Sequence, residues 1–204
     1  MACVILAGGK GSRLIAEKGL LAVDRTTLIE RIHSRLSALF SWFLLVVSDE
    51  KPYLHLPFQL VKDHYPDHGP LGGIYSGLRA AAVPSFVCAC DMPFISKDIV
   101  EALMARAHGN DVVIPLVKGY YEPLHAIYRP SCLEAMKSCL EGRDLRVVSF
   151  FERVKVLPLG EELRLMDRED LSFFNINTPE DYEKACLIAR GLHGGSLAAL
   201  GRNN

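Results

Sequence analysis

The sequence predicts a three-layer α/β/α fold built on a mostly parallel sheet. Three observations carry this. Short apolar runs of strand length alternate with segments of helical period, the pattern of βαβ units. Several of the apolar runs end in glycine or aspartate, as strands do when they feed a loop at a sheet edge. No internal repeat or linker interrupts the 204 residues. Residues 1–190 are therefore expected to form one domain, and 191–204, rich in glycine and small residues, a frayed tail.

The elements follow in order. Ala2 to Leu6 is a buried strand that runs into Ala7-Gly8-Gly9. Leu28, Ile29, Ile32, Leu36, Leu39 and Phe40 recur at helical spacing, which predicts an amphipathic helix from about Thr27 to Phe40. Phe43 to Val47 and Phe58 to Val61 are the next two strands. Gly69-Pro70-Leu71-Gly72-Gly73 is expected to be a glycine-rich loop that opens a helix over Ile74 to Ala82. Phe86 to Cys90 is a strand that stops at Asp91-Met92-Pro93. Ser96 is placed to cap a helix through Ile99, Leu103 and Met104. Further strands are expected at Val112 to Pro115, Leu124 to Tyr128 and Val154 to Leu157, with a helix from Pro130 to Leu140 ended near Gly142. Thr178-Pro179-Glu180-Asp181 is a strong helix start, with Thr as cap, Pro in the first position and acids in the first turn, and predicts a helix to about Arg190.

Composition narrows the function. Half the residues are hydrophobic, 23% are charged and the net charge is −1, with acids and bases interspersed. That excludes a broad basic surface for nucleic acid. No apolar run approaches the roughly 18 residues of a membrane span, and the N-terminus resembles neither a signal nor a transit peptide. The six cysteines form no CxxC pair, which fits a reducing cytoplasm, and they read as small buried hydrophobes. The seven histidines show no zinc spacing.

The chemistry concentrates at strand ends. Leu6-Ala7-Gly8-Gly9-Lys10-Gly11-Ser12-Arg13, with Lys18 beyond, combines bare backbone with clustered cations. Glycines let N–H groups approach an anion closely, so the segment suits phosphate, although a tight turn would use the same residues. It is neither a GxxxxGK[ST] loop nor a GxGxxG loop. Asp91 stands where a buried strand ends and suits a Mg²⁺ ligand or, equally, a local turn. Asp63 follows the third strand and would serve as an acceptor for a nucleotide or as a turn residue. Asn175 and Asn177, two apart, point the same way in an extended segment and could both reach one ligand, or else serve turn formation and capping before Thr178.

The ordered set of motifs resembles the molybdenum cofactor guanylyltransferase family. It comprises Leu6-Ala7-Gly8-Gly9, Ser12-Arg13, Lys18, Gly69 to Gly73, Cys90 to Phe94, Glu122-Pro123-Leu124 with Ala126 and Tyr128, and Asn175 to Asp181. The resemblance spans about residues 2 to 190 and implies a Rossmann-like nucleotidyltransferase fold. It implies transfer of GMP from GTP to the terminal phosphate of molybdopterin, with Mg²⁺ as cofactor and release of pyrophosphate. By the same resemblance, Leu6, Ala7, Gly8, Gly9, Lys18, Asp63, Gly72 and Asp91 bind the nucleotide, and Asp91 binds the metal. Arg13, Lys18, Asp91, Asn175 and Asn177 form the catalytic set. GTP and molybdopterin are the implied partners, with transient contact to cofactor-synthesis or acceptor proteins. One departure stands out: Leu14-Ile15 replaces the family's usual Met-Gly, so a β-branched residue sits where glycine is usual. Two rivals accompany this reading: a cytidylyl or sugar-phosphate transferase of the same fold, and a nucleotide-binding regulator without turnover.

Overall fold

The computed structural model describes residues 1–8, 18–167 and 171–194. Its strands are β1 (Ala2–Leu6), β2 (Ala22–Val23), β3 (Thr26–Thr27), β4 (Phe43–Val47), β5 (Gln59–Lys62), β6 (Ser85–Ala89), β7 (Val112–Val117), β8 (Tyr120–Tyr121), β9 (His125–Tyr128) and β10 (Val156–Leu159). Its helices are α1 (Leu28–Leu36), α2 (Gly69–Ala81), α3 (Lys97–Ala105), α4 (Leu133–Glu141), α5 (Glu161–Arg164) and α6 (Pro179–Gly194). The main sheet runs β10-β7-β9-β6-β1-β4-β5, with β8 paired to β7. Strand β9 is antiparallel to both neighbours. The pairs β6–β1, β1–β4, β4–β5 and β7–β10 are parallel. Six strands therefore point their carboxyl ends at one edge.

The predicted three layers are present. One core packs α1 and α3 against one face of the sheet through Ile29, Ile32, Leu45, Phe86, Ile99 and Leu103. The other packs α2 and α4 against the opposite face through Val4, Val46, Leu71, Ile74, Val87 and Met136. Central β1 and β4 are buried along their whole length, which explains why they read as continuous apolar runs rather than alternating ones.

Several boundaries differ from the expectation. Helix α1 starts where the sequence places it, because Thr27 and Glu30 form a capping box: Glu30 N–H donates to Thr27 Oγ1, and Thr27 N–H donates to Glu30 Oε2 at 2.8 Å. It ends at Leu36, short of Phe40, and the chain then turns. The strand expected at Val154 to Leu157 lies two residues later. The last helix continues to Gly194, past Arg190; residues 195–204 lie outside the described residues.

The larger correction concerns Gly69 to Gly73, which is not a loop. Helix α2 begins at Gly69, whose φ of +62° favours glycine, and Pro70 follows in the first turn, where its missing N–H costs nothing. The glycines beyond it serve close packing. A Cβ on Gly77 would lie 2.3 Å from Val4 Cγ1 and 3.0 Å from Val46 Cγ2, so α2 lies directly on β1 and β4. A Cβ on Gly73 would meet Leu6 at 3.3 Å, and one on Gly72 the Tyr65 carbonyl at 2.7 Å.

Two tests of this packing follow. In an open helix Gly→Ala stabilises by up to ~1 kcal/mol. Gly77→Ala is expected to do the reverse, lowering stability by about 1–3 kcal/mol through overpacking, as read by urea denaturation. A gain in stability would refute the close approach. His125 provides the second. It is fully buried between the Phe86 and Phe173 rings, neither ring nitrogen has a hydrogen-bond partner among the described residues, and burial pushes its pKa down to about 3. Below the usual pKa near 6.5 the unfolded chain takes up a proton that the folded chain refuses. Stability is therefore expected to fall from about pH 6.5 toward pH 3, by up to roughly 1.4 kcal/mol per pH unit. His125→Leu should flatten that slope, and an unchanged pH profile of the melting temperature would contradict the assignment.

Candidate functional site

The site is built at the carboxyl edge of the sheet. Strand β1 delivers Ala7 and Gly8 there: Ala7 N–H donates to Val46 O at 2.9 Å, and Leu6 O accepts from Cys90 N–H at 3.0 Å. The backbone of Leu6, Ala7 and Gly8 thus lies between the ends of β4 and β6. A Cβ on Gly8 would approach Ser48 Oγ to 3.1 Å. Gly9 and Arg13, and with them the Leu14-Ile15 departure, lie outside the described residues.

Three distant residues converge beside this backbone. Lys18 opens a short 3-10 turn, Lys18–Leu20, and its Nζ donates to Asp91 Oδ2 at 2.6 Å and to Asn177 Oδ1 at 3.3 Å. The ion pair is partly shielded, with side chains 24% and 19% exposed. Asp91 Oδ1 is buried and has no hydrogen-bond partner among the described residues. A buried carboxylate oxygen without a donor is costly, so this atom leaves room for a further donor or cation. Neighbouring Cys90 supplies none: burial pushes its thiol up to about 12, and it stays neutral.

A separate small core braces this cluster. Val23, Leu28, Phe94, Ile176, Ala185, Ile188 and Ala189 pack the β2–β3 hairpin, the residue after Pro93, the segment before α6, and α6 itself. Ile176 N–H donates to Asp91 O at 3.0 Å, which ties the asparagine segment to the end of β6. Tyr182 OH donates to Ala22 O at 2.8 Å, which ties α6 to the chain just past Lys18. The cap predicted at Thr178 is present: Asp181 N–H donates to Thr178 Oγ1, and Asp181 Oδ2 accepts from the N–H groups of Asn177 and Thr178.

The two asparagines part company. Asn177 joins Lys18, whereas Asn175 Nδ2 donates back to Phe173 O at 3.0 Å, within its own turn. Asp63 lies elsewhere on the same edge, after β5. Its Oδ1 accepts from Tyr65 N–H and from Ser76 Oγ, each at 2.9 Å. Its Oδ2 has no hydrogen-bond partner among the described residues. Between β6 and β5 there are three strand spacings, which puts Asp63 roughly 14 Å from Asp91. Gly72 belongs to neither group; it is buried in α2 against Tyr65, so its place is explained by packing.

Sequence reading missed Ser76. This hydroxyl is fully buried and accepts from His64 N–H at 2.9 Å, with Gly72 O 2.8 Å away as a second acceptor for its proton. A serine on an otherwise apolar helix face, four residues after Gly72, was its only signal. The reading also missed a cavity of about 340 Å³ at the ends of β7 and β10, lined by Leu116, Lys118, Gly160, Leu163 and Phe173 among others. Five of the six cysteines are buried as expected and Cys186 is half-buried; all six are free thiols. Among the described residues no group of three or more His, Cys, Asp or Glu could hold a metal, and no helix is long and apolar enough to cross a membrane.

Known proteins share this fold and much of this sequence. Residues 3–155 match the family model described as a MobA-like NTP transferase domain. A curated relative from Pelotomaculum thermopropionicum, described as "Probable molybdenum cofactor guanylyltransferase", is 36% identical over 95% of this chain and 96% of its own. The molybdenum cofactor guanylyltransferase of Desulfosudis oleivorans is 32% identical over 89% of this chain and 92% of its own. The crystal structure of molybdopterin-guanine dinucleotide biosynthesis protein A from Archaeoglobus fulgidus superposes with a TM-score of 0.80 at 31% identity, covering 93% of this chain and 99% of that one. With fold and sequence in agreement over most of its length, the chain belongs to the MobA-like NTP transferase family.

Proposed function

We propose that the chain transfers GMP from GTP to the terminal phosphate of molybdopterin and releases pyrophosphate. The observation that carries this is the Lys18–Asp91–Asn177 cluster, set beside bare β1 backbone with one carboxylate oxygen left without a partner. The oxygens of Asp91 and Asn177 are hard donors of the kind Mg²⁺ takes, and one carboxylate is enough where phosphate and water complete the shell. Bound there, Mg²⁺ would supply charge neutralisation and Lewis acidity.

The remaining chemistry falls to the chain. The acceptor's terminal phosphate forms a bond to the α-phosphorus of GTP, and the bond from that phosphorus to the β-phosphate bridge breaks. Both partners are anions, so charge must be offset and the attack held in line. Lys18 offers positive charge, and the Gly8 backbone lets phosphate oxygens come close. Asp63, on the same edge roughly 14 Å from Asp91 by strand spacing, would then accept from the nucleoside end of the bound triphosphate. The attacking phosphate is already ionised, and no strong base is needed.

The acceptor fits on the other side. The cavity beyond β9 stands two to three strand spacings from β6, roughly 10–14 Å away. Its Leu116, Leu163 and Phe173 give an apolar wall for a fused ring system, and Lys118, Glu161 and Asp167 add charged groups to the lining. A cytoplasmic setting, with transient contact to the proteins that supply or receive the cofactor, accords with free buried thiols and with the absence, among the described residues, of a membrane-crossing helix.

Calorimetry with Mg²⁺ and each of GTP, CTP, ATP and UTP tests the donor. GTP is expected to bind at least tenfold more tightly than the others. Preference for CTP would move the chain to cytidylyl transfer, and no binding to any would favour a regulator without turnover. Asp91→Ala is expected to lower Mg²⁺-dependent pyrophosphate release at least 100-fold while the melting curve stays cooperative. Full activity in that variant would remove Asp91 from the site.

A further inference from the structure

The Lys18 ammonium sits on two oxygen acceptors, Asp91 Oδ2 and Asn177 Oδ1, and these are the same donors that would hold a divalent cation. We propose that Lys18 is a built-in competitor for the metal seat, and that it gives up the seat only when a triphosphate offers it other oxygens. This rests on the reading of the cluster as a metal and triphosphate site.

The walls of the seat are fixed and its occupant is not. Asp91 is anchored by its carbonyl, which accepts from Ile176 N–H. Asn177 is anchored by its N–H, which donates to Asp181 Oδ2 at 3.0 Å. Lys18 is anchored at the backbone, where Leu21 N–H donates to its carbonyl at 3.1 Å. Its neighbour Gly19 is buried, and a Cβ there would lie 2.5 Å from Ile29 Cδ1. The four-carbon stem of Lys18, 24% exposed, is the part that can swing.

Charge gives the device its sign. Among the described residues Lys18 is the one cation in ion-pair range of Asp91. One carboxylate and one neutral amide carry a single negative charge, which Lys18 cancels. A divalent cation approaching the free chain therefore meets a neutral site and a like charge. A triphosphate carries several anionic oxygens and draws the ammonium off. The carboxylate is then exposed at the moment phosphate oxygens arrive to complete the metal's shell. Metal and nucleotide binding are thereby coupled, and each strengthens the other.

The test is direct Mn²⁺ binding to the nucleotide-free protein, read by loss of the free-ion EPR signal. Lys18→Met removes the charge and keeps the stem. It is expected to bind Mn²⁺ at least tenfold more tightly than the wild type, and adding Asp91→Asn should abolish the gain. Lys18→Gln, which can still hydrogen-bond to Asp91, should show the same direction, and it replaces Lys18→Met if that chain fails to fold. Mn²⁺ affinity in the folded Lys18 variants equal to or below that of the wild type would overturn the proposal. A gain in affinity alongside a wild type that transfers no GMP would leave this inference standing and sink the functional reading instead.

Discussion

The ion pair between Lys18 and Asp91, completed by Asn177, is the constraint around which the rest of the site is organised. Its members lie 73 and 159 residues apart in the chain. Two partly shielded charges at 2.6 Å offset each other's desolvation, yet among the described residues Asp91 Oδ1 has no hydrogen-bond partner. A fold selected for stability alone would supply that oxygen with a backbone N–H. Leaving it bare beside open glycine backbone makes sense if a cation visits.

The fold serves that pair in two ways. The parallel strands bring Ala7, Asp63 and Asp91 to one edge at fixed spacings. The small core of Val23, Leu28, Phe94, Ile176 and Ile188 then clamps the Lys18 turn and the Asn177 segment onto that edge. The Ile176-to-Asp91 backbone bond and the Tyr182-to-Ala22 hydrogen bond cross this junction. The reversed strand β9 separates the Asp91 half of the edge from the half that holds the 340 Å³ cavity. The cluster and the cavity therefore lie on opposite sides of β9 at one edge of the sheet.

Much of this was legible in the sequence, and the exceptions have physical causes. β1, β4 and β6 were readable because burial on both faces forces continuous apolar runs. The α1 and α6 starts were readable because their caps are local, written in Thr27 with Glu30 and in Thr178 with Asp181. Gly69 to Gly73 misled because glycine signals loops and close packing alike, and only the nearness of Val4, Leu6 and Val46 decides between them. Asp91, Lys18 and Asn177 were each named as candidates, but their mutual contact is a product of tertiary structure. Asn175 looked equivalent to Asn177 at a spacing of two, and the turn at Phe173 broke the equivalence. Ser76 and the cavity carried almost no local signal.

The most direct measurement follows the α-phosphate. GTP labelled at the α-position is mixed with molybdopterin, Mg²⁺ and the full chain, and both products are counted. The account predicts label on the pterin product with one pyrophosphate released for each label transferred. Label that stays on GTP, under conditions where both substrates bind, would contradict it.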